Sequence, residues 1–168
     1  EPDDAAALHL LYDPRQPKAA LLDQRMEYVL PTRDELSELL AKKETTQGQL
    51  YTVEDMTGDI VGFCSLRGAH PEARFAEAAI LMVSEVAYDQ PLADETARFL
   101  LRRAFLQMRL NKVYAQCLDS EVGLRQCLVR NGFVSEGTRR EVFHSGGRRL
   151  GVEALSHFAR DAHFEGGR

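Results

Sequence analysis

Tryptophan is absent from this sequence, and cysteine and proline are sparse, at three and six residues. Cys64, Cys117 and Cys127 are odd in number and show no CxxC spacing. That excludes a disulfide framework and a cysteine zinc site, and points to buried, reduced thiols in a cytoplasmic protein. No apolar run reaches membrane-spanning length and no signal-peptide pattern opens the chain, so no membrane partner is expected. Positive charge is also short: Lys and Arg number 21 against 26 Asp and Glu, a formal charge of −5. A nucleic-acid surface is usually basic, so none is expected here. Arg pairs at 102–103, 139–140 and 148–149 do make the second half the more basic one. No His, Cys, Asp and Glu set has metal-ligand spacing, and no metal is expected.

What is present is ordinary for a globular chain: 44% hydrophobic and 28% charged residues over 168 positions. This length fits a single domain, residues 1–168, with a sizeable core. Pro2, Asp3 and Asp4 suit a helix N-terminus, and Ala7, Leu8, Leu11 and Tyr12 follow at helical spacing. Residues 17 to 29 read as a second helix. "PTRDELSELLAKKE" reads as a third, with Thr32 and Glu35 spaced as a capping box. The period then changes. "GQLYTVEDM" and "DIVGFCSLRGA" flank "TGD" as a hairpin, and "ARFAEAAILMVSE" is apolar enough for a central strand. The stretch "YDQPLADETARFLL" leads into the longest helix, with Leu92, Thr96, Ala97, Leu100, Leu101, Ala104, Phe105 and Met108 on one stripe. A strand, "NKVYAQCLDS", and a helix ending at Asn131-Gly132 follow. Two strands around Ser145-Gly146-Gly147 complete the order, and the tail "HFEGGR" reads as frayed. This order predicts a mixed α/β layered domain.

Three segments carry a family likeness: "EPDDAAALHLLYDP", "GDIVGFCSLRGAHPEARFAEAAI" and "NGFVSEGTRREVFHSGGRRLGVEALSHF". Together they resemble the GNAT-superfamily acetyltransferases, nearest the RimJ/RimL group that acetylates protein N-termini. The resemblance implies a mostly antiparallel mixed central sheet with helices on both faces, and a first strand just upstream of Glu1. It implies direct acetyl transfer from acetyl-CoA, or another acyl-CoA, to a small-molecule or peptide amine in a V-shaped cleft. It also allows a homodimer. In such enzymes backbone amides of the cofactor strand, here Leu81, Met82 and Val83, polarise the thioester carbonyl. The following loop and helix start, here Gln90, Leu92, Ala93 and Asp94, would hold the pyrophosphate. Glu77 is the candidate base, with His144, Glu141 and Tyr114 behind it.

The pattern also departs from the family. Its loop, (Arg/Gln)-x-x-Gly-x-(Gly/Ala), falls on Tyr88 to Ala93, and only Ala93 fits. Pro91 has no N–H to offer a phosphate. A carboxylate about 6 Å from a phosphate charge costs roughly 1–3 kcal/mol, so Asp89 and Asp94 oppose the ligand if they face it. The family's Asn and Tyr on the next helix fall on Glu121 and Leu128. The loop also reads as a self-capped helix start, with Asp89 or Gln90 as cap, Pro91 in the first turn, and Asp94 and Glu95 against the macrodipole. Three functions therefore stand: an acyl-CoA-dependent N-acyltransferase, a binding or regulatory module without CoA chemistry, and an acyltransferase using a carrier-linked donor. Glu77 also reads as a polar strand residue, His144 as a turn residue, and His9 and His157 as packed or surface groups. Arg98, Arg102 and Arg125 are candidates to reach a CoA phosphate.

Overall fold

The computed structural model of the chain describes residues 4–22, 27–41 and 48–164. Two helices, α1 (Ala5–Leu10) and α2 (Arg33–Ala41), precede β1 (Gly48–Glu54), β2 (Ile60–His70) and β3 (Phe75–Met82). Then come α3 (Pro91–Arg102), β4 (Lys112–Leu118), α4 (Val122–Arg130), β5 (Val134–Ser145) and β6 (Arg148–Phe158). The six strands form one sheet in the order β1-β2-β3-β4-β6-β5. Only β3 and β4 pair in parallel, and the other neighbours are antiparallel. The expected mixed, mostly antiparallel sheet is observed.

Strand alternation assigns the two faces. Phe63, Ala79 and Leu81 pack under Ala5, Leu8 and Leu11 and Leu36, which places α1 and α2 on one face. Ala78, Ile80, Met82, Val113, Ala115 and Cys117 pack under Ala93, Ala97, Leu100, Leu101, Leu124 and Leu128 of α3 and α4 on the other. The α3 stripe continues into the π-helical turn Arg103–Gln107, where Ala104 and Phe105 are buried. All three cysteines are buried and free, and burial pushes their thiols up to about 12. No described helix is long and apolar enough to cross a membrane.

Local chemistry explains the elements that follow their sequence signals. Thr32 N–H donates to Glu35 Oε2 at 2.7 Å, and Glu35 N–H returns to Thr32 Oγ1 at 3.3 Å, the expected capping box. Gly146 and Gly147 take positive φ of 56° and 75°, as a two-residue β5–β6 turn requires. The helix expected over 17–29 is not formed in the described part. A 3-10 turn, Ala19–Leu21, and an isolated bridge between Leu22 and Tyr28 stand there instead. Lys18 and Leu22 are extended on either side, because Ala19 and Ala20 pack into two different clusters rather than one helical stripe. Residues 23–26 of that segment, Pro2 and Asp3 of the first, Lys42 to Glu44 of the third, and the tail from Glu165 lie outside the described residues.

Candidate active site

The β3–β4 ladder covers only Phe75, Ala76 and Glu77 opposite Lys112, Val113 and Tyr114. Past that point Ala78–Met82 stays paired with β2, and Ala115–Leu118 stays paired with β6. A wedge therefore opens between the two strands, and its inner edges carry backbone groups that need partners. Two side chains supply them. The Tyr88 hydroxyl accepts from Met82 N–H and donates to Ile80 C=O, both at 3.2 Å. Glu121 Oε2 accepts from Leu118 N–H at 2.9 Å and from Ala19 N–H at 2.8 Å.

The second bond ties the turn Ala19–Leu21 across the wedge. Ala19 packs with Leu118 and Val152 on one side, and Ala20 with Phe63, Ala79 and Leu81 on the other. Arg67 Nη1 holds Ala20 C=O at 2.8 Å. The same guanidinium grips Glu77 at two points, Nε to Oε2 and Nη2 to Oε1, each 3.0 Å. Glu77 also accepts from Gln116 Nε2 at 3.3 Å. Tyr114 stands opposite Glu77 in the ladder, and burial together with the Glu77 charge raises its hydroxyl above the ordinary tyrosine value. Glu77 and Tyr114 thus meet at the closed end of the wedge.

At the open end the loop after β3 turns inward. Tyr88 is fully buried, and burial raises its hydroxyl well above the ordinary value. Its place in the family loop holds no cation, because the side chain is a core residue that closes the wedge. Gln90 is the α3 N-cap but makes no side-chain cap bond, and Pro91 takes the first helical position. The acidic residues do not stand alone. Asp94 Oδ1 accepts from Asn131 Nδ2 at 2.8 Å and from Arg130 Nη2 at 3.2 Å, and Asp89 lies 3.6 Å from Arg130 Nη1. Burial pushes the Asp94 carboxyl up, yet the Asn131 and Arg130 bonds outweigh it and leave it below the ordinary value. Arg130 Nη2 also donates to Tyr88 C=O at 2.6 Å. The expected repulsion from Asp89 and Asp94 is therefore countered by Arg130, and the two carboxylates clasp α3 and the turn before it to the end of α4.

The start of α4 is closely packed on this loop. Gly123 N–H donates to Glu85 Oε2 at 3.2 Å. A Cβ on Gly123 would come within 2.8 Å of that oxygen and 3.2 Å of Tyr88 Cβ, so a larger residue would displace the Glu85 side chain from this bond. Next to it Glu121 is 2% exposed, and Oε1 has no hydrogen-bond partner. Burial pushes this carboxyl up to about 7, against the opposing pull of the two N–H donors.

The residues named from sequence separate into groups. Val83 N–H is taken by Val61 C=O at 3.0 Å, so it faces β2. Alternation puts Leu81 on that same edge and leaves Met82 as the one of the three whose N–H faces the wedge. Gln90 and Leu92 border a pocket of about 500 Å³ with Met82, Val61, Glu54 and Glu95. Ala93 is buried, and its N–H bonds back to Gln90 C=O at 3.1 Å. Leu128 is buried in the core. His144 is exposed beside the β5–β6 turn, and Glu141 pairs with Arg149 at 3.0 Å; neither meets the wedge residues. His157 is packed between Phe105 and Phe133. Arg125 is engaged by Glu153 at 2.7 Å, whereas Arg98 and Arg102 line a groove of about 880 Å³ with Arg130 and Phe164. Sequence reasoning missed Tyr88, Glu121 and Lys18 as wedge residues. The signal was there in part: an aromatic and an acid stand at two positions where the family carries a cation or amide and an Asn.

Comparison with known proteins agrees with this architecture. The profile of the acetyltransferase (GNAT) domain matches residues 1–134. Among curated proteins no sequence matches the chain. Spermidine N-acetyltransferase from Vibrio cholerae, solved in complex with CoA and spermine, matches with a TM-score of 0.77 and 23% identity, over 96% of this chain and 93% of that one. The dodecameric structure of spermidine N-acetyltransferase from Vibrio cholerae in an intermediate state matches with a TM-score of 0.75 and 23% identity, over 95% and 90%. At this identity the likeness establishes a shared fold.

Proposed function

The chain belongs to the GNAT acetyltransferase family, and on that premise we propose how its wedge moves an acetyl group from acetyl-CoA to a primary amine. The observation that carries the reading is the Met82 N–H, presented inside the wedge beside the start of α3. In this reading the thioester lies along β3, and its carbonyl oxygen takes the Met82 N–H from the Tyr88 hydroxyl. A fixed donor there stabilises the charge that develops on that oxygen when the amine attacks. The start of α3, with Gln90, Leu92, Ala93 and Asp94, receives the pyrophosphate at its positive end, although the Ala93 N–H is already held by Gln90 C=O. Pro91 removes one donor, and Arg130 supplies a cation close by. The amine nitrogen bonds to the carbonyl carbon, the carbon–sulfur bond breaks, and the thiolate of CoA takes up a proton.

The amine must first lose its own proton, and two carboxylates border the wedge. Glu77 is the base in this proposal: it stands beside Tyr114 at the closed end, five residues along β3 from Met82, and takes the proton through intervening water rather than by direct contact. Both its oxygens lie on Arg67, whereas Glu121 keeps one oxygen without a partner. Glu77→Gln is therefore expected to lower kcat by about a hundredfold with acetyl-CoA affinity unchanged, in the range of general-base losses. Steady-state kinetics with a small primary amine, beside calorimetric titration of acetyl-CoA, checks this. Unchanged kcat in Glu77→Gln would move the proton acceptor to Glu121.

We further propose a single-domain member of RimJ/RimL type, on the three segments that resemble that group. The acceptor is a small-molecule or peptide amine, and the spermine-bound relative of the same fold supports the small-molecule side. Buried thiols fit a cytoplasmic setting, and self-association as a homodimer is part of the same proposal.

A further inference from the structure

Lys18 is a charged residue with 6% exposure, and its ammonium reaches inward to the open end of the wedge. Nζ lies 4.0 Å from Glu85 Oε1 and 5.8 Å from the centroid of the Tyr88 ring. The next residue's N–H is held by Glu121 Oε2, and the Lys18 charge acts on the Glu121 carboxyl. We propose that Glu85, Glu121 and the Tyr88 ring form the subsite for the acceptor's ammonium group, and that Lys18 is its internal occupant. This deepens the acyltransferase reading and rests on it for its role in catalysis, though not for the binding itself.

Three features point to a subsite built for an ammonium rather than for this lysine. The first is poor satisfaction. Among the described residues the Lys18 ammonium makes only an ion pair at 4.0 Å, beyond hydrogen-bond reach, although it carries three donors. Close by, in range of the Lys18 charge, Glu121 Oε1 is buried and has no hydrogen-bond partner. A buried cation and a buried carboxylate oxygen are each costly when unmatched, and an ammonium free of the backbone can approach closely enough to match both. The second is chemistry. Two carboxylates and an aromatic face are the set that recognises a cation on an alkyl stem. The third is location. The Tyr88 side chain presents its ring to the ammonium and its hydroxyl to Met82 N–H, so one residue links the cage to the thioester's expected position. Gly123 brings the start of α4 against Glu85 and Tyr88 and closes the wall behind them. The ligand class is therefore a primary ammonium on a short unbranched stem.

Removal of the internal occupant tests this. Lys18→Ala, with Lys18→Ser as the second variant if the first does not fold, is titrated near pH 7 with propylamine, and with propanol as the uncharged control. Calorimetry and thermal shift give a readout without acetyl-CoA. The expected result is saturable propylammonium binding at least about tenfold tighter than to the wild type, no effect of propanol, and loss of that gain when Glu121→Gln is added. Equal affinity in wild type and variant, or an equal response to propanol, would overturn the proposal. The two readings fail separately. Tight propylammonium binding without acetyl transfer would leave the subsite standing and defeat the acyltransferase reading. Transfer to propylamine with affinity indifferent to residue 18 would do the reverse.

Discussion

A carboxyl group as buried as Glu121 makes the wedge sensitive to pH. Its ordinary value near 4.5 is raised to about 7, because burial penalises the charged form. The folded state therefore binds this proton more readily than the unfolded chain. The resulting stability is fully present below about 4.5 and is lost as pH rises through about 7. Glu121→Gln has no such dependence. Urea unfolding near pH 5 and again near pH 8 should show the wild type losing on the order of 2 kcal/mol relative to Glu121→Gln over that interval. Parallel stability profiles for the two proteins would contradict the raised value. Asp94 behaves in the opposite sense. Its lowered carboxyl contributes stability at neutral pH that disappears only on acidification.

At the scale of elements, the edge of β3 is held by a side chain where a sheet would ordinarily supply a strand. Removal of the Tyr88 hydroxyl leaves Met82 N–H and Ile80 C=O buried without a partner. Tyr88→Phe should therefore lower the stability of the free protein by about 1–3 kcal/mol. Saturating acetyl-CoA should stabilise the variant more than the wild type, since the ligand restores a partner that the wild type already has. Thermal melts with and without acetyl-CoA check this, and an equal ligand-induced shift in both proteins would argue against a shared Met82 amide. The elements that were legible in sequence are those whose signals are local: the Thr32–Glu35 capping box, the hairpin around Thr57-Gly58-Asp59, the α3 stripe and the Gly146-Gly147 turn. The segment 17–29 was not legible, because Ala19 and Ala20 serve two clusters on opposite sides of a gap between strands. Tyr88 and Glu121 could be placed in register but not in direction. A loop position does not reveal that its side chain turns inward, and tertiary packing decided both.

Over the whole molecule, a net charge of −5 coexists with local cations placed where the fold needs them. Arg130 joins α4 to the acidic start of α3, Arg67 joins β2 to Glu77 and to the turn across the wedge, and Lys18 enters the wedge itself. Composition alone argued only against a nucleic-acid surface; the arrangement of these cations depends on which strands separate and where. The layered α/β class was legible from element order and the mixed, mostly antiparallel sheet from the family resemblance, and the family profile agrees with both. How the wedge is filled was not, because the groups that close it come from positions 18, 19, 88 and 121, far apart in sequence. The central claim is that acetyl-CoA enters this wedge and takes the Met82 N–H. The most direct measurement is the titration of nitrogen-15-labelled protein with acetyl-CoA, following the backbone amides of Met82 and Val83. The account predicts a saturable shift of the Met82 amide, with Val83 nearly unmoved because its N–H stays on Val61. No change at Met82 with acetyl-CoA at millimolar concentration would contradict it.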